Sequence, residues 1–306
     1  MKFIPFLLAA LIALPALAQP VGGAGLDFPV QDDAAGTLRL RAMLWLPAAP
    51  PAGGVVLLHG AGGWNDFREG HYGRLLSGAG YAVLAVDSHG PRGVPQTMNH
   101  MQVSFAQLAR DAMAARQQLV DRGVPARRIA VLGLSKGGTG ALYAMDRFLT
   151  PAQAERFAAV VALYPPCHVR ARTAMPTAPV FIGLGEKDDL TGVQQCQDTA
   201  AALRAAGGNV TVKVYPSSAH GFDGNPDSTV SFYAGQAETF TRCNVEVEAD
   251  GRETYRGQTY PPGGAEIMAA LRATCVRKGA SFWTNPAQKA AAAQDIVQFL
   301  ATSMPP

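Results

Sequence analysis

Residues 128–138, RIAVLGLSKGG, pass from an apolar segment into a glycine-rich turn, and a helix pattern follows. The segment 128–132 predicts a buried β-strand. The turn contains Gly-x-Ser-x-Gly, with Ser135 between Gly133 and Gly137. Between a strand and a helix, this motif holds a serine hydroxyl at the carboxyl edge of a sheet, where a Cβ at either glycine would collide with neighbouring chain. The motif predicts that Ser135 is a nucleophile; the alternative is a plain glycine-rich turn.

Short apolar segments of the same kind recur on both sides of this stretch. They are apolar on both faces, as strands of a parallel sheet covered by helices are. Amphipathic helix patterns alternate with them, so the sequence predicts an α/β fold with a mostly parallel central sheet flanked by helices on both faces. Residues 38–46 alternate instead and predict an antiparallel edge strand. The predicted strands are 54–58, 81–86, 128–132, 157–163, 179–184 and 210–215, and the predicted helices are 102–120, 136–149, 193–206 and 288–303.

Two later loops carry the groups that a nucleophilic serine needs, a general base and an acid that orients it. Asp188 and Asp189 follow the strand 179–184, and His220 follows the strand 210–215. The carboxyl ends of parallel strands meet at one edge of a sheet, so both loops should converge on Ser135. The residues alone leave either aspartate open as the acid.

An oxyanion hole requires two backbone N–H donors. Lys136 follows the serine directly and begins a predicted helix, so its N–H is the first predicted donor. The loop after the strand 54–58 is His-Gly-Ala-Gly-Gly, and its glycines allow a close approach of the backbone to a substrate. We assign the second donor to Ala61, and we interpret His59 as a structural hydrogen-bonding residue.

A family resemblance rests on six strings in chain order: LLHGAGG at 57–63, AVDSHGPRG at 85–93, RIAVLGLSKGG at 128–138, ALYPPC at 162–167, GEKDDLTG at 185–192 and VKVYPSSAHGFD at 212–223. With them the sequence resembles the dienelactone hydrolase family of α/β-hydrolases over about residues 45–225. The resemblance implies an α/β-hydrolase fold, a Ser/Asp/His triad without a metal, and hydrolysis of esters or lactones. The family spacing places the acid three residues after a glycine, which implies Asp188. Members that cleave dienelactone use a cysteine where this chain has Ser135.

Three further side chains are candidate substrate contacts. Arg92 lies in the loop after the strand 81–86, and its guanidinium could grip a substrate carboxylate in two places. The alternative for Arg92 is a local salt bridge. Trp64 and Tyr164 could line an acyl or alcohol pocket, although aromatic residues in such loops also serve as plain packing.

The N-terminus has the pattern of a secretory signal peptide. Lys2 supplies a positive charge, residues 3–17 are almost wholly apolar, and small residues precede a cleavage point after Ala18. The apolar stretch is short for a membrane span. We expect residues 1–18 to be removed, leaving a single domain at 19–306 in the periplasm or outside the cell, with no membrane span.

Four cysteines in an exported chain are expected to form disulfides. Cys167 and Cys196 each follow one of two neighbouring strands at the same sheet edge, so we predict that they pair. Cys243 and Cys275 share residues 223–286, a long and apparently irregular insertion before the last helix, and we predict the second pair there. The insertion is either an excursion at the rim of the fold or a partial cap over the substrate pocket.

The composition narrows the function. The chain has 306 residues, 48% of them hydrophobic, and 26 Lys+Arg against 23 Asp+Glu, which suits one large folded domain and disfavours disorder. No run of Lys and Arg points to a nucleic-acid partner, and no metal-ligand spacing such as His-Glu-x-x-His occurs, so we expect no cofactor or metal. The sequence predicts a serine hydrolase of a small-molecule ester or lactone that works through an acyl-enzyme. The alternatives are a serine peptidase of related fold and a catalytically silent binding protein.

Overall fold

A computed structural model describes residues 22–32, 35–94, 102–150, 155–227 and 231–305. The expected signal peptide, residues 1–18, lies outside these ranges. No helix within them is long and apolar enough to cross a membrane. The strands are β1 (Ala24–Asp32), β2 (Gly36–Trp45), β3 (Gly53–Leu58), β4 (Tyr81–Asp87), β5 (Ile129–Leu134), β6 (Val160–Leu163), β7 (Val169–Ala171), β8 (Val180–Gly185), β9 (Val210–Tyr215), β10 (Phe232–Thr239), β11 (Val245–Val247), β12 (Glu253–Tyr255), β13 (Gln258–Tyr260) and β14 (Arg277–Phe282). The helices are α1 (His71–Gly78), α2 (Phe105–Val120), α3 (Lys136–Met145), α4 (Gln194–Ala205), α5 (Ala265–Thr274) and α6 (Pro286–Ser303).

The centre of the fold is an eight-stranded sheet in the order β1-β2-β4-β3-β5-β6-β8-β9. The six strands from β4 to β9 in this order pair in parallel, whereas β1 and β2 pair antiparallel at one edge. The predicted antiparallel strand at 38–46 corresponds to β2. The mostly parallel sheet predicted from the sequence is therefore confirmed.

Alternate residues of the central strands enter two separate cores. In β3, Val56 and Leu58 pack on the face that α2 and α3 cover, while Val55 and Leu57 pack on the face of α1 and α6. Successive side chains of a strand point to opposite faces, so a strand that is apolar at every position must be covered on both. Because the central strands contribute to both cores, they are apolar at every position, and these apolar segments predicted the sheet.

The described part of the segment 223–286 contains regular elements, and the expectation of an irregular insertion is wrong in this respect. Within it, β10 pairs with β14, and β11 pairs in parallel with β7 from the main fold. The small sheet runs β13-β12-β11-β7. All four of its strands have only three residues, too few for an alternating pattern to stand out in the sequence.

Two disulfides fasten this segment and the loop after β6. They join Cys167 to Cys196 and Cys243 to Cys275, the two pairs that the sequence predicts, with Cα–Cα distances of 5.0 and 5.2 Å. The first connects the loop after β6 to α4, and the second connects the end of α5 to the chain before β11. The first lies at the edge of the central sheet at which the parallel strands end, because Cys167 follows β6 and Cys196 follows β8.

Candidate active site

Ser135 occupies the sharp turn between β5 and α3. Its backbone has φ 50° and ψ −119°, a left-handed conformation that is unusual for a non-glycine residue. A Cβ at Gly133 would meet the carbonyl of Gly137, and a Cβ at Gly137 would lie 2.5 Å from the carbonyl oxygen of Leu58. The two glycines of the motif are thus required by packing, and they allow the strained turn that presents the serine.

The structure brings Ser135, His220 and Asp188 together in one hydrogen-bonded chain. The distance from His220 Nε2 to Ser135 Oγ is 2.8 Å, and the distance from His220 Nδ1 to Asp188 Oδ2 is 2.9 Å. Asp188 and His220 are both buried. In this geometry the histidine can accept the serine proton while its other nitrogen is held by a carboxylate.

The two adjacent aspartates have different partners. Asp189 accepts a hydrogen bond from the backbone N–H of Ser281 on β14 at 2.9 Å, whereas Asp188 faces His220. Burial by itself would raise the pKa of Asp188, but His220 and the hydrogen bonds from Thr191 hold that pKa below its usual value. A carboxyl with a lowered pKa stays ionised and can stabilise an imidazolium.

Thr191 contacts both Asp188 and His220, and the sequence analysis did not select it as a site residue. Its hydroxyl donates to Asp188 Oδ2 at 2.8 Å, and its backbone N–H donates to Oδ1 at 2.9 Å. The hydroxyl also lies 3.4 Å from His220 Nδ1. The only signal was its place three residues after the acid, where a hydroxyl can close a local turn.

Ala61 and Lys136, whose N–H groups the sequence predicts as oxyanion donors, both border the cavity beside Ser135. The loop after β3 lies against the serine, since a Cβ on Gly60 would come within 3.3 Å of Ser135 Cβ. His59 holds this loop, because its Nε2 accepts the backbone N–H of Ser88 at 3.0 Å. Burial lowers the pKa of His59, which agrees with a neutral structural imidazole.

The side chain of Lys136 is buried as well, which the sequence did not indicate. Its Nζ has no hydrogen-bond partner in the part of the chain that the structure describes. Burial lowers the pKa of this amine from 10.5 to about 7. The ammonium form of Lys136 is therefore disfavoured in the folded protein.

Tyr164 is predicted from the sequence as a substrate contact. In the structure its ring packs against the imidazole of His220. Its ring meets the imidazole edge to face with centroids 4.9 Å apart. Its hydroxyl donates to the fully buried Asp223 at 2.6 Å, and the Tyr72 hydroxyl donates to the same carboxylate at 2.9 Å. The structure thus gives Tyr164 a positioning place beside the histidine. Asp223 was visible in the sequence only as the end of the string that contains His220.

The prediction that Arg92 anchors a substrate carboxylate is wrong. Its Nε donates to Asp32 at 2.7 Å, and its two terminal nitrogens donate to Asp111 at 2.8 and 2.9 Å. Only 8% of the side chain is exposed. The guanidinium is hydrogen-bonded to two carboxylates of the protein. Arg92 therefore stabilises the fold, and its nitrogens are not available to bind a ligand carboxylate in two places.

Trp64 also does not serve as a wall of the cavity beside Ser135. Its ring stacks on Trp45 with centroids 5.8 Å apart and an interplanar angle of 6°. This stack packs against the core on the α1 and α6 face of the sheet. The alternative of plain packing describes Trp64 better than a substrate contact does.

Other possible binding features lie elsewhere. Within the described ranges, no group of three or more His, Cys, Asp or Glu side chains is placed to hold a metal ion. A concavity of about 670 Å³ lies between β1 and α2, and no member of the Ser-His-Asp chain lines it.

Comparisons with known proteins agree with this architecture. A dienelactone hydrolase-like promiscuous phosphotriesterase from metagenomic libraries superposes with a TM-score of 0.59 at 16% identity, over 92% of this chain and 99% of the other. An esterase from the Planctomycetes species Thermogutta terrifontis gives 0.52 at 18% identity, over 67% and 87% of the two chains. These likenesses, with the sheet order, define an α/β-hydrolase fold and confirm the predicted fold class.

The model of the dienelactone hydrolase family matches residues 40–244, and the chain belongs to that family. Rat acyl-coenzyme A thioesterase 1 is 34% identical over 113 residues, which are 36% of this chain and 25% of the relative. Human mitochondrial acyl-coenzyme A thioesterase 2 is 31% identical over 102 residues, 33% of this chain and 19% of the relative. The chain thus spans a quarter or less of the length of these two relatives.

Proposed function

We propose that this protein is a serine-dependent hydrolase of carboxylic esters or lactones. The proposal rests on one observation, the continuous hydrogen-bonded chain from Ser135 through His220 to Asp188. Membership of the dienelactone hydrolase family supports it, as do relatives that are named as an esterase and as thioesterases.

In the proposed reaction, Ser135 Oγ attacks the ester carbonyl carbon while His220 Nε2 takes its proton. Asp188 keeps the imidazole in the required tautomer and stabilises its positive charge. The backbone N–H groups of Ala61 and Lys136 stabilise the oxyanion of the tetrahedral intermediate. The imidazolium then gives its proton to the leaving alcohol, and a water molecule activated by His220 hydrolyses the acyl-enzyme to release the acid and free Ser135.

An exported location belongs to the same proposal. Two disulfides fit an oxidising compartment, where such bonds persist. The signal-peptide pattern at residues 1–18 points the same way. N-terminal sequencing of the protein recovered from the periplasm or medium tests this, and retention of the full N-terminus in the cytoplasm would contradict it.

Replacement of Ser135 by alanine tests the nucleophile. We expect Ser135→Ala to lower the hydrolysis of p-nitrophenyl esters by about 10⁴-fold or more, because the rest of the site cannot form an acyl-enzyme. The melting temperature should change by less than about 3 °C, since the hydroxyl is lost from the edge of the cavity. A fluorophosphonate should label the wild type at Ser135 and leave the variant unlabelled.

The matched control is Ser77→Ala, which removes a serine of α1 whose hydroxyl donates to a carbonyl of its own helix. It should keep wild-type turnover and labelling. Residual activity of Ser135→Ala above a tenth of the wild type would overturn the proposal. Peptide hydrolysis faster than ester hydrolysis would favour a peptidase, and the absence of both turnover and labelling would favour a binding protein.

A further inference from the structure

The cavity that opens beside Ser135 is small, about 40 Å³. One water molecule needs about 10–15 Å³ of such space, so the cavity holds about three non-hydrogen atoms. Ala61 and Lys136 border it, but His220 is absent from the described residues that line it. The leaving group must receive its proton from His220, so the substituent that enters this cavity is the acyl chain.

Phe240 and His168 form an aromatic wall of the cavity. Their rings stack with centroids 4.5 Å apart and an interplanar angle of 14°. Both residues border the same space as Ser135. His168 comes from the loop after β6, and Phe240 follows β10 in the segment 223–286. This segment therefore contributes to the substrate site and is more than an excursion at the rim.

The start of α4 is attached to the chain beside both residues of this wall. Cys167, directly before His168, is joined by a disulfide to Cys196 of α4. The neighbouring Gln195 donates from Nε2 to the carbonyl oxygen of Phe240 at 2.9 Å. The backbone beside both rings is therefore attached to α4, by a covalent bond next to His168 and by a hydrogen bond at Phe240.

The second disulfide provides another attachment for the backbone at Phe240. The backbone N–H of Cys243 donates to the carbonyl oxygen of Phe240 at 2.9 Å, and Cys243 is bonded to Cys275 at the end of α5. The backbone N–H of Phe240 donates to the carbonyl oxygen of Leu190, in the loop that carries Asp188, at 3.3 Å. The backbone at Phe240 is thus attached to the loop that carries Asp188 and to the end of α5.

We infer that Phe240, stacked on His168, limits the acyl group to about three carbons, so that the substrates are esters of short-chain carboxylic acids. The carbonyl carbon lies at Ser135, and the carbonyl oxygen, which the N–H groups of Ala61 and Lys136 stabilise, shares the cavity with about two further carbons. Each methylene that an apolar pocket cannot accommodate changes kcat/KM by about 10-fold or more. This inference rests on the proposed esterase function and assigns its substrate class.

The test compares kcat/KM for p-nitrophenyl acetate, butyrate, hexanoate and octanoate. For the wild type we expect kcat/KM to fall at least about 10-fold from butyrate to octanoate. Phe240→Ala should lower the ratio of kcat/KM for butyrate to kcat/KM for octanoate at least about 10-fold, by raising kcat/KM for octanoate. The ratio for Phe240→Leu should lie between those of the wild type and Phe240→Ala. The control Phe67→Ala truncates a phenylalanine that is 46% exposed and absent from the cavity wall, and it should keep the wild-type profile.

Each outcome decides a separate point. Fluorophosphonate labelling and circular dichroism establish that each variant has an intact site and fold, and Phe240→Leu decides the matter where the alanine variant does not fold. Good turnover of octanoate by the wild type, or an unchanged profile in the folded Phe240 variants, overturns the size limit and leaves the proposed esterase standing. Turnover of no ester at any chain length overturns the proposed function and this inference together.

Discussion

The neighbours Asp188 and Asp189 differ in which side chains they meet, and this difference decides which of them matters to His220. Asp188 Oδ2 lies 2.9 Å from His220 Nδ1, while Asp189 accepts a backbone N–H from β14. We expect Asp188→Asn to lower kcat for ester hydrolysis by about 10⁴-fold, because an amide favours the wrong imidazole tautomer. Asp189→Asn serves as the matched control and should keep most of the activity. Steady-state kinetics with p-nitrophenyl butyrate measures both, and the reverse pattern would refute the assignment.

Lys136 provides a stability prediction that depends on pH. Its buried, unpaired amine has a pKa of about 7 in the folded protein against 10.5 in the unfolded chain. Between these values the unfolded state holds the proton and the folded state does not, so the wild type gains stability as pH rises from about 7 to 10.5. Below pH 7 the penalty for the buried charge is fully present.

Lys136→Met should therefore be more stable than the wild type at pH 7, by several kcal/mol at about 1.4 kcal/mol for each pKa unit. The advantage should shrink as pH approaches 10.5. Denaturant unfolding at pH 6, 7, 9 and 10 measures it, with Lys213→Met as the control, since the Lys213 side chain is 52% exposed. An advantage of Lys136→Met that is equal at all four pH values would show that the amine is not the cause.

The residues differ in how far the sequence could predict them. The proximity of Ser135, Asp188 and His220 was predictable because each follows a recognisable strand, and such strands end at one edge of the sheet. Arg92 was mispredicted because its partners Asp32 and Asp111 lie 60 and 19 positions away, on elements whose approach no local pattern encodes. An arginine that bridges protein carboxylates has the same local sequence as one that binds a ligand.

At the scale of elements, Arg92 joins the end of β1 to the middle of α2 through Asp32 and Asp111. Arg92→Met would leave two carboxylates in a largely buried site without their cation. We expect a loss of about 3–5 kcal/mol in the free energy of unfolding, because a buried ion pair that loses one partner leaves an uncompensated charge. The kcat for esters should stay near the wild-type value at temperatures at which the variant is folded.

The control for Arg92 is Arg74→Met, which removes an ion pair to Asp66 with side chains 45% and 65% exposed. Surface pairs contribute about 1 kcal/mol at most, so this variant should be nearly as stable as the wild type. Urea unfolding followed by circular dichroism compares the two. If Arg92→Met lost ester turnover but kept its stability, the guanidinium would be a substrate contact after all.

The central strands β3, β4, β5, β6 and β8 were predictable because they are buried on both faces, and those of the segment 223–286 were not. β11, β12 and β13 have three residues each, and β11 pairs with β7, which is 76 positions earlier at Val169 and Val245. A pairing between such distant short strands is set by tertiary contacts and leaves no periodicity behind. Phe240 lies in the same segment, and no local pattern predicted that it borders the cavity beside Ser135.

Over the whole molecule, the candidate site lies at the carboxyl ends of β3, β5, β8 and β9, and Phe240 of the segment 223–286 borders the cavity beside it. The sheet order makes this convergence a property of the main fold. The segment 223–286 depends more on its attachments, namely the pairing of β11 with β7 and the bond between Cys243 and Cys275. The disulfides should therefore matter more for this segment and the loop after β6 than for the sheet.

The two disulfides tie the loop after β6 to α4 and the chain before β11 to the end of α5. They close segments with sequence separations of 29 and 32 residues, and in the chain-entropy model each stabilises the protein by about 3–4 kcal/mol. The paired variants Cys167→Ser with Cys196→Ser, and Cys243→Ser with Cys275→Ser, should each lower the melting temperature by about 5–15 °C. Peptide mapping of the non-reduced protein should recover only these two pairs. A crossed pair, or four thiols that can be alkylated in the native oxidised protein, would contradict both the pairing and the exported location. Single Cys243→Ser serves as the comparison, since loss of the bond plus a free thiol at Cys275 should destabilise at least as much as the double change.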